Sequence, residues 1–534
     1  MVERTVDEVI SDCLKYKKDF VINGGAGSGK TYTLINTINN IFLENNDANI
    51  ACITYTKVAA KEIRKRLNIS DNKEIFVSTI HEFLWENIKN FQISLKKSLI
   101  ELINLNINDP SKGIKPSSDF NIECLKKVDK IEYRDYRKLN QGIITHNDVI
   151  ILSNYMFDKF DKLCDIVNDK YDYILIDEYQ DSFKGVIEIF LKFLRKIKTK
   201  NCTIGMFGDP MQQIYATGIG NINYDNIEFI NKDDNWRSGQ KIIDLINKLR
   251  LDDIRQTPKG ENVLLECNVK FIYSTNKKIT DIKNNNYKYI DFHDNYKELY
   301  LTHNLIGKES NCNSIFSLYK DKDKLLGENK DEFISHLGKI EQIRINFKNK
   351  RHDLILEQLH MSINNIYERN LFVEKLKKLD NISDKTILEV IELSHDLKLV
   401  LKDDKFNDYA FNNKDLYESL MKIKYIEFIN CYQYINDKTP YATQHGVKGE
   451  EYKNVMVILD NGRWTLYDYD SIFKNESNNS KYERSLKLFY VSCSRAIKNL
   501  SVYYYNPSKE IIDGAIKLFG KENVINLDVD NGGN

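Results

Sequence analysis

No stretch of this 534-residue sequence approaches 18 consecutive apolar residues, and its opening segment, MVERTVDEVISDCLKYKK, is too charged for a signal peptide. Neither a membrane-spanning helix nor a secretory leader is expected, so no membrane partner is either, and we read the protein as cytoplasmic. Net charge is also missing: 78 Lys and Arg balance 78 Asp and Glu. Binding an anionic polymer would then need local basic surface rather than overall charge. The nine cysteines include no CxxC pair, which excludes zinc-ribbon spacing and leaves no sign of a disulfide framework. Reduced, buried thiols are expected, with no structural zinc and no disulfides. Proline occurs only six times. Together with heavy use of Asn, Lys, Ile and Tyr this reads as AT-rich coding, so the tyrosines count little as a sign of base stacking.

The length suffices for roughly three or four domains. Through residue 245, short apolar runs alternate with longer helix-like stretches: FVING (20–24), IACITYT (50–56), IFVSTIH (75–81), YILIDE (173–178) and CTIGMFGD (202–209). Each run ends in polar residues or glycine, the pattern of buried parallel strands whose carboxyl ends carry a site. The fold class is therefore α/β. Residues 1–85 and 144–245 are expected to form a first α/β domain interrupted by a helical insertion at 86–143. A second α/β domain, 246–309 and 436–534, is expected around KELYLTHNLIG (297–307), VMVILD (455–460) and LSVYYY (500–505). Its own helical insertion, 310–435, has apolar residues at helical spacing.

GGAGSGKT (24–31) matches the G-x-x-x-x-G-K-[ST] spacing, following a strand and opening a helix. Gly24, Gly25, Ala26, Gly27, Ser28 and Gly29 are small enough for backbone N–H groups to close around a β-phosphate. Lys30 then reaches the β- and γ-phosphates, and the Thr31 hydroxyl can ligate Mg²⁺. YILIDEYQD (173–181) delivers Asp177 to hold Mg²⁺ through water and Glu178 to polarise the attacking water. GMFGDPMQQIY (205–215) places Gln212 where an amide can sense the γ-phosphate. NWRS (235–238) offers Arg237 and YVSCSRA (490–496) offers Arg495, two cations expected to converge from different domains on transition-state charge. The cofactors implied are ATP and Mg²⁺.

The order GAGSGKT, TYTKVAAKEIRKRL, STIH, DEYQD, GDPMQQIY, NWRS, TQHGVKGEEY and FYVSCSRA, spread over nearly the whole chain, resembles the superfamily 1A DNA helicases of the UvrD/Rep/PcrA type. The resemblance implies two RecA-like domains, with ATP between them and single-stranded or tailed duplex DNA as partner. It also implies that Thr54, Thr56 and His81, and in the second half Thr443 and His445, contact the DNA backbone. Trp236 would stack beside the adenine and Glu451 would touch the ribose. Movement would run 3′→5′.

Two departures stand out. Residues 1–30 contain no glutamine, where the family carries an adenine-reading one, so relaxed base selectivity is expected. The usual aromatic–arginine pair beyond IY is Thr217-Gly218 here. Either Tyr215 or Phe83 takes over stacking, or the strand is held mainly by its phosphates, which is our expectation. An alternative function, on resemblance to compact UvrD-like subunits of anti-phage systems such as Gabija, is a DNA-stimulated ATPase that senses ends or single strands. It would license a partner nuclease acting in trans, since little sequence follows Arg495.

Overall fold

The computed structural model describes residues 4–67, 75–196, 202–215, 218–276, 279, 296–327 and 330–529. Two compact units emerge: Met1–Asn268 with Glu483–Lys498, and Val269–Tyr482 with Asn499–Asn534. No helix among the described residues is long and apolar enough to cross a membrane.

The first unit is built on six strands: β1 (Asp19–Gly24), β2 (Ile50–Thr54), β3 (Ile75–Thr79), β4 (Tyr173–Asp177), β5 (Thr203–Gly208) and β6 (Ile227–Lys232). They run in the order β3-β2-β4-β5-β1-β6, all paired parallel. Parallel strands covered on both faces must be apolar throughout. Accordingly Phe20, Val21, Ile22, Ile174, Leu175 and Ile176 are all buried. The register Asn23↔Gly208 and Ile176↔Met206 brings the carboxyl ends of β1, β4 and β5 to one edge. Helix α1 (Lys30–Glu44) leaves that edge, as does α2 (Ile80–Ile88), whose first turn is closed by a Thr79–Glu82 capping box. The stretch 86–143, read as helical, also contains a two-residue parallel ladder, Glu132–Tyr133 with Ile143–Ile144.

The second unit contains β7 (Asn268–Ser274), β8 (Tyr296–Tyr300), β9 (Tyr441–Thr443), β10 (Tyr452–Ile458), β11 (Ala496–Tyr505) and β12 (Val524–Asn526), ordered β9-β8-β10-β11-β7-β12. Pairs β8–β9, β8–β10 and β7–β12 are parallel. Between β8 and β9 lies a helical region with its own core, in which Phe333, Leu337, Ile340, Val390, Ile391 and Phe428 are enclosed. Helix α3 (Tyr482–Cys493) is where the chain returns to the first unit. Eight of the nine cysteines are buried. The architecture is thus α/β with two six-stranded parallel-type sheets.

Candidate nucleotide site and nucleic-acid face

Between β1 and α1 the chain makes a tight loop in which Gly27 and Gly29 adopt φ of +75° and +77°. Side chains rarely tolerate that region, and glycine enters it at little cost. Gly29 caps α1 with no side chain, so the helix's first N–H groups face the loop. The hydroxyl of Ser28 is buried with no partner among the described residues. These donors fit a polyphosphate. Lys30 is buried and donates from Nζ to the carbonyls of Gly24 (2.9 Å) and Gly25 (3.3 Å). Burial pulls its pKa below that of free lysine, while the Asp209, Glu178 and Asp177 carboxylates oppose the shift. Thr31 is half-buried in the first turn of α1, where its hydroxyl would hold a magnesium ion together with Asp177.

The loop is also held from behind, by residues the motifs did not announce. Ala26 O accepts from Asn235 Nδ2 (3.0 Å) and from Gln256 Nε2 (3.1 Å). Gln256 packs so closely on Gly25 that a Cβ there would meet its amide at 2.3 Å. Asn235 Oδ1 in turn accepts from the backbone N–H groups of Arg237 and Ser238, and Trp236 N donates to Gly27 O at 2.8 Å. The indole of Trp236 is 56% exposed and lies against Gly260.

At the ends of β4 and β5 stand the acids. Asp177 is buried and accepts from Glu178 N at 3.1 Å. Glu178 has φ +53° and ψ +41°, a left-handed conformation that costs a non-glycine residue of order 1–3 kcal/mol. Gln180 Nε2 holds its carboxylate, while Gln180 Oε1 accepts from Asp209 N at 3.0 Å. Asp209 is fully buried, and Gln212 donates to its Oδ2 at 2.8 Å.

Both sequence-predicted arginines lie in the first unit. Arg237 Nη1 donates to Ser494 O at 3.1 Å. Arg495 is fully enclosed and donates to Val491 O (2.9 Å), Ser494 Oγ (2.8 Å) and Gln212 Oε1 (3.4 Å). Burial, and then the like charge of Arg237, pulls its pKa down to about 9. An anion beside the two guanidiniums would reverse that penalty.

A third arginine carries no motif. Arg250 is wholly buried and grips Asp209 with both Nη groups (3.0 and 3.3 Å), Asp252 (2.6 Å) and Tyr490 Oη (2.6 Å). Tyr490 Oη also accepts from Ala26 N (3.1 Å) and donates to Asp209 Oδ2 (3.2 Å). The phosphate loop, the Gln212 loop and α3 thus share one buried network. Removing a hydroxyl from such a network leaves Ala26 N–H and Asp209 each one partner short. Tyr490→Phe should therefore lose about 1–3 kcal/mol in urea unfolding. An unchanged midpoint would show that water replaces the hydroxyl.

The residues carried over for DNA divide by exposure. Thr54 is fully buried at the end of β2, its hydroxyl without a partner among the described residues, whereas Thr56 is exposed and accepts from Ala59 N. His81 is half-buried beside a cleft it shares with Tyr55, Lys57, Tyr133, Arg134 and His146. Its ring lies 5.0 Å from that of His146, and burial holds its pKa down to about 4. Tyr215 stacks on Tyr55, with centroids 5.5 Å apart and planes 23° apart. Phe83, the other stacking candidate, is fully buried against Tyr171 and Phe190, because it lies on the inward face of α2 with Leu84 and Ile88. It offers no ring to a ligand. Thr217 lies outside the described residues. In the second unit Thr443 is buried with Oγ1 accepting from Gly446 N (3.0 Å), His445 is half-buried, and Glu451 is exposed just before β10.

A glycine-rich phosphate loop, two strand-end acids and converging arginines on a parallel sheet define a P-loop nucleotide hydrolase. Family comparison agrees. A family described as an AAA domain matches residues 8–218, and the viral superfamily 1 RNA helicase core domain matches residues 124–335. Gabija protein GajB of Bacillus cereus (strain HuB5-5) is 25% identical over 96% of this chain and 96% of its own. A probable DNA helicase II homolog of Mycoplasma capricolum is 26% identical over 93% of this chain and 84% of its own. ATP-dependent DNA helicase Rep of Buchnera aphidicola (subsp. Acyrthosiphon pisum) is 28% identical over 45% of this chain and 44% of its own. The chain is thus similar to superfamily 1 helicases of the UvrD/Rep/PcrA type, and these similarities support an ATP-hydrolysing enzyme.

Proposed function

We propose that the chain couples ATP hydrolysis to 3′→5′ movement along single-stranded DNA. In this reading Lys30 and the loop 24–29 hold the polyphosphate, and Thr31 and Asp177 hold magnesium. Glu178 activates water, Gln212 senses the γ-phosphate, and Arg237 with Arg495 stabilises transition-state charge. Trp236 stacks on the base, and Glu451 contacts the ribose. Thr56 and His81, with Thr54 behind them, and Thr443 and His445 line the path of the strand. The observation that carries the reading is the gathering of Lys30, Asp177, Glu178, Gln212, Arg237 and Arg495 into one compact unit.

A second reading has its own support. The similarity to GajB extends over 96% of both chains, a little further than the 93% and 84% of the Mycoplasma capricolum helicase II homolog. On this reading ATP turnover on DNA ends or single strands regulates a nuclease supplied by another chain in anti-phage defence. A gel assay of tailed-duplex unwinding, run beside DNA-stimulated ATP turnover, separates the two. Unwinding supports the motor. Stimulated turnover without unwinding supports the sensor, and turnover indifferent to DNA defeats both.

The two aromatic candidates of the first unit should also part company. Tyr215→Ala should weaken single-strand binding, since its stacked, half-buried ring is at the strand-end face. Phe83→Ala should instead cost about 3–5 kcal/mol of stability through the cavity it opens. Equal effects of the two on binding, at equal stability, would contradict this division.

A further inference from the structure

We propose that Trp464 is a base-stacking platform for single-stranded DNA on the second unit, an inference that rests on the nucleic-acid reading above. Strands β8, β9 and β10 pair in parallel with Tyr300↔Thr443 and Leu299↔Val457, so their carboxyl ends meet at one edge. Ligands of parallel α/β sheets gather at that edge. Residues 459–467 rise from it directly after β10.

The loop is fixed rather than loose. Gly462 N donates to Asp460 Oδ1 (2.8 Å), Arg463 N to Asn461 Oδ1 (3.1 Å) and Trp464 N to Asn461 O (2.7 Å). Gly462 and Arg463 both take left-handed φ, +56° and +67°. Trp464 emerges with 37% of its surface in solvent. On its protein side it meets Tyr467 edge-on, with centroids 5.1 Å apart, and His445 at 5.9 Å. Tyr467 is buried, and its hydroxyl pairs with His445 Nε2 at 2.7 Å. An indole braced on one side and open on the other is the element that sequence-independent single-strand binders use.

Charge assigns His445 a different part from the one the resemblance gave it. Burial, then the neighbouring His303, pushes its pKa down to about 4. The ring is neutral at pH 7, its Nε2 is engaged by Tyr467, and it buttresses the indole instead of gripping phosphate. Arg463, exposed and adjacent in sequence, supplies the positive charge a phosphate needs. Of the exposed neighbours, Asp460, Asn461, Arg463 and Thr465 are polar and only Leu466 is apolar, so the surface around the indole falls short of the contiguous apolar patch that a protein partner would need. One flat ring fits it.

The test is an equilibrium titration of labelled oligo(dT) with the full chain across a salt series. Wild type, Trp464→Ala and Trp464→Tyr are compared. Alanine should weaken binding about five- to a hundredfold at every salt concentration. Tyrosine should recover most of the loss, and the salt slope should stay the same because no phosphate contact is removed. Wild-type affinity in the alanine variant, or a tyrosine variant no better than alanine, overturns the platform and leaves the nucleic-acid reading standing. A wild-type chain that does not bind oligo(dT) overturns both.

Discussion

Glu178→Gln should bind ATP as tightly as wild type and hydrolyse it about 10²–10⁴-fold more slowly. The substitution keeps the shape of the side chain and removes its ability to accept a proton. Everything that aims the group stays in place: the left-handed backbone at φ +53°, the Gln180 amide on its oxygen, and the turn Asp177 makes with Glu178 N. A residue held in a costly conformation by its surroundings is a sign of a position that needs an aimed side chain. Single-turnover hydrolysis and fluorescent-nucleotide binding, measured together, decide it. Wild-type turnover would remove Glu178 from the proposed chemistry and shift attention to Asp177.

Arg250→Met should destabilise the first unit by about 3–5 kcal/mol. The methionine fills much of the space but leaves Asp209 buried without its guanidinium. At present burial alone would raise the Asp209 pKa, and the Arg250 and Lys30 charges outweigh it, so the carboxyl sits below its ordinary value. A depressed carboxyl contributes stability above its unfolded pKa and loses it as pH falls. Without Arg250 burial dominates, the folded pKa rises, and the sign reverses: stability is lost as pH rises. The gap between variant and wild type should therefore be widest near neutrality and should narrow toward pH 4, close to the unfolded carboxyl value of about 3.9. Urea unfolding at several pH values measures this. A gap independent of pH would mean that Asp209 is not the group left unpaired.

What could be read from the sequence follows the range of the interactions involved. The phosphate loop and the Asp177-Glu178 pair are local, set by a few consecutive residues at the end of one strand, and spacing alone locates them. The two parallel sheets were legible for the same reason, since a doubly buried strand must be an apolar run. Arg250 was not legible. Its partners Asp209 and Tyr490 are 41 and 240 residues away, and nothing near LRLDD distinguishes it from a surface arginine. Tyr490 opens YVSCSRA, a stretch whose motif signal lies in its arginine and not in its tyrosine. Phe83 could have been placed better, because its spacing with Leu84 and Ile88 is that of an inward helix face. Gln256, pressed on Gly25 from 231 positions downstream, belongs with Arg250 among the contacts that only the fold reveals.

The return of Glu483–Lys498 to the first unit also has a consequence in time. During synthesis, Asn268 leaves the ribosome about 215 residues before Glu483, roughly 10–40 s earlier at ordinary elongation rates. Throughout that interval Arg250 and Asp209 have no Tyr490, and the phosphate loop lacks the hydroxyl that receives Ala26 N–H. The nascent first unit thus lacks one member of the buried network that ties Arg250 and Asp209 to the phosphate loop. Translation halted before residue 483 would yield a fragment that carries the whole phosphate-loop motif yet lacks both Tyr490 and Arg495.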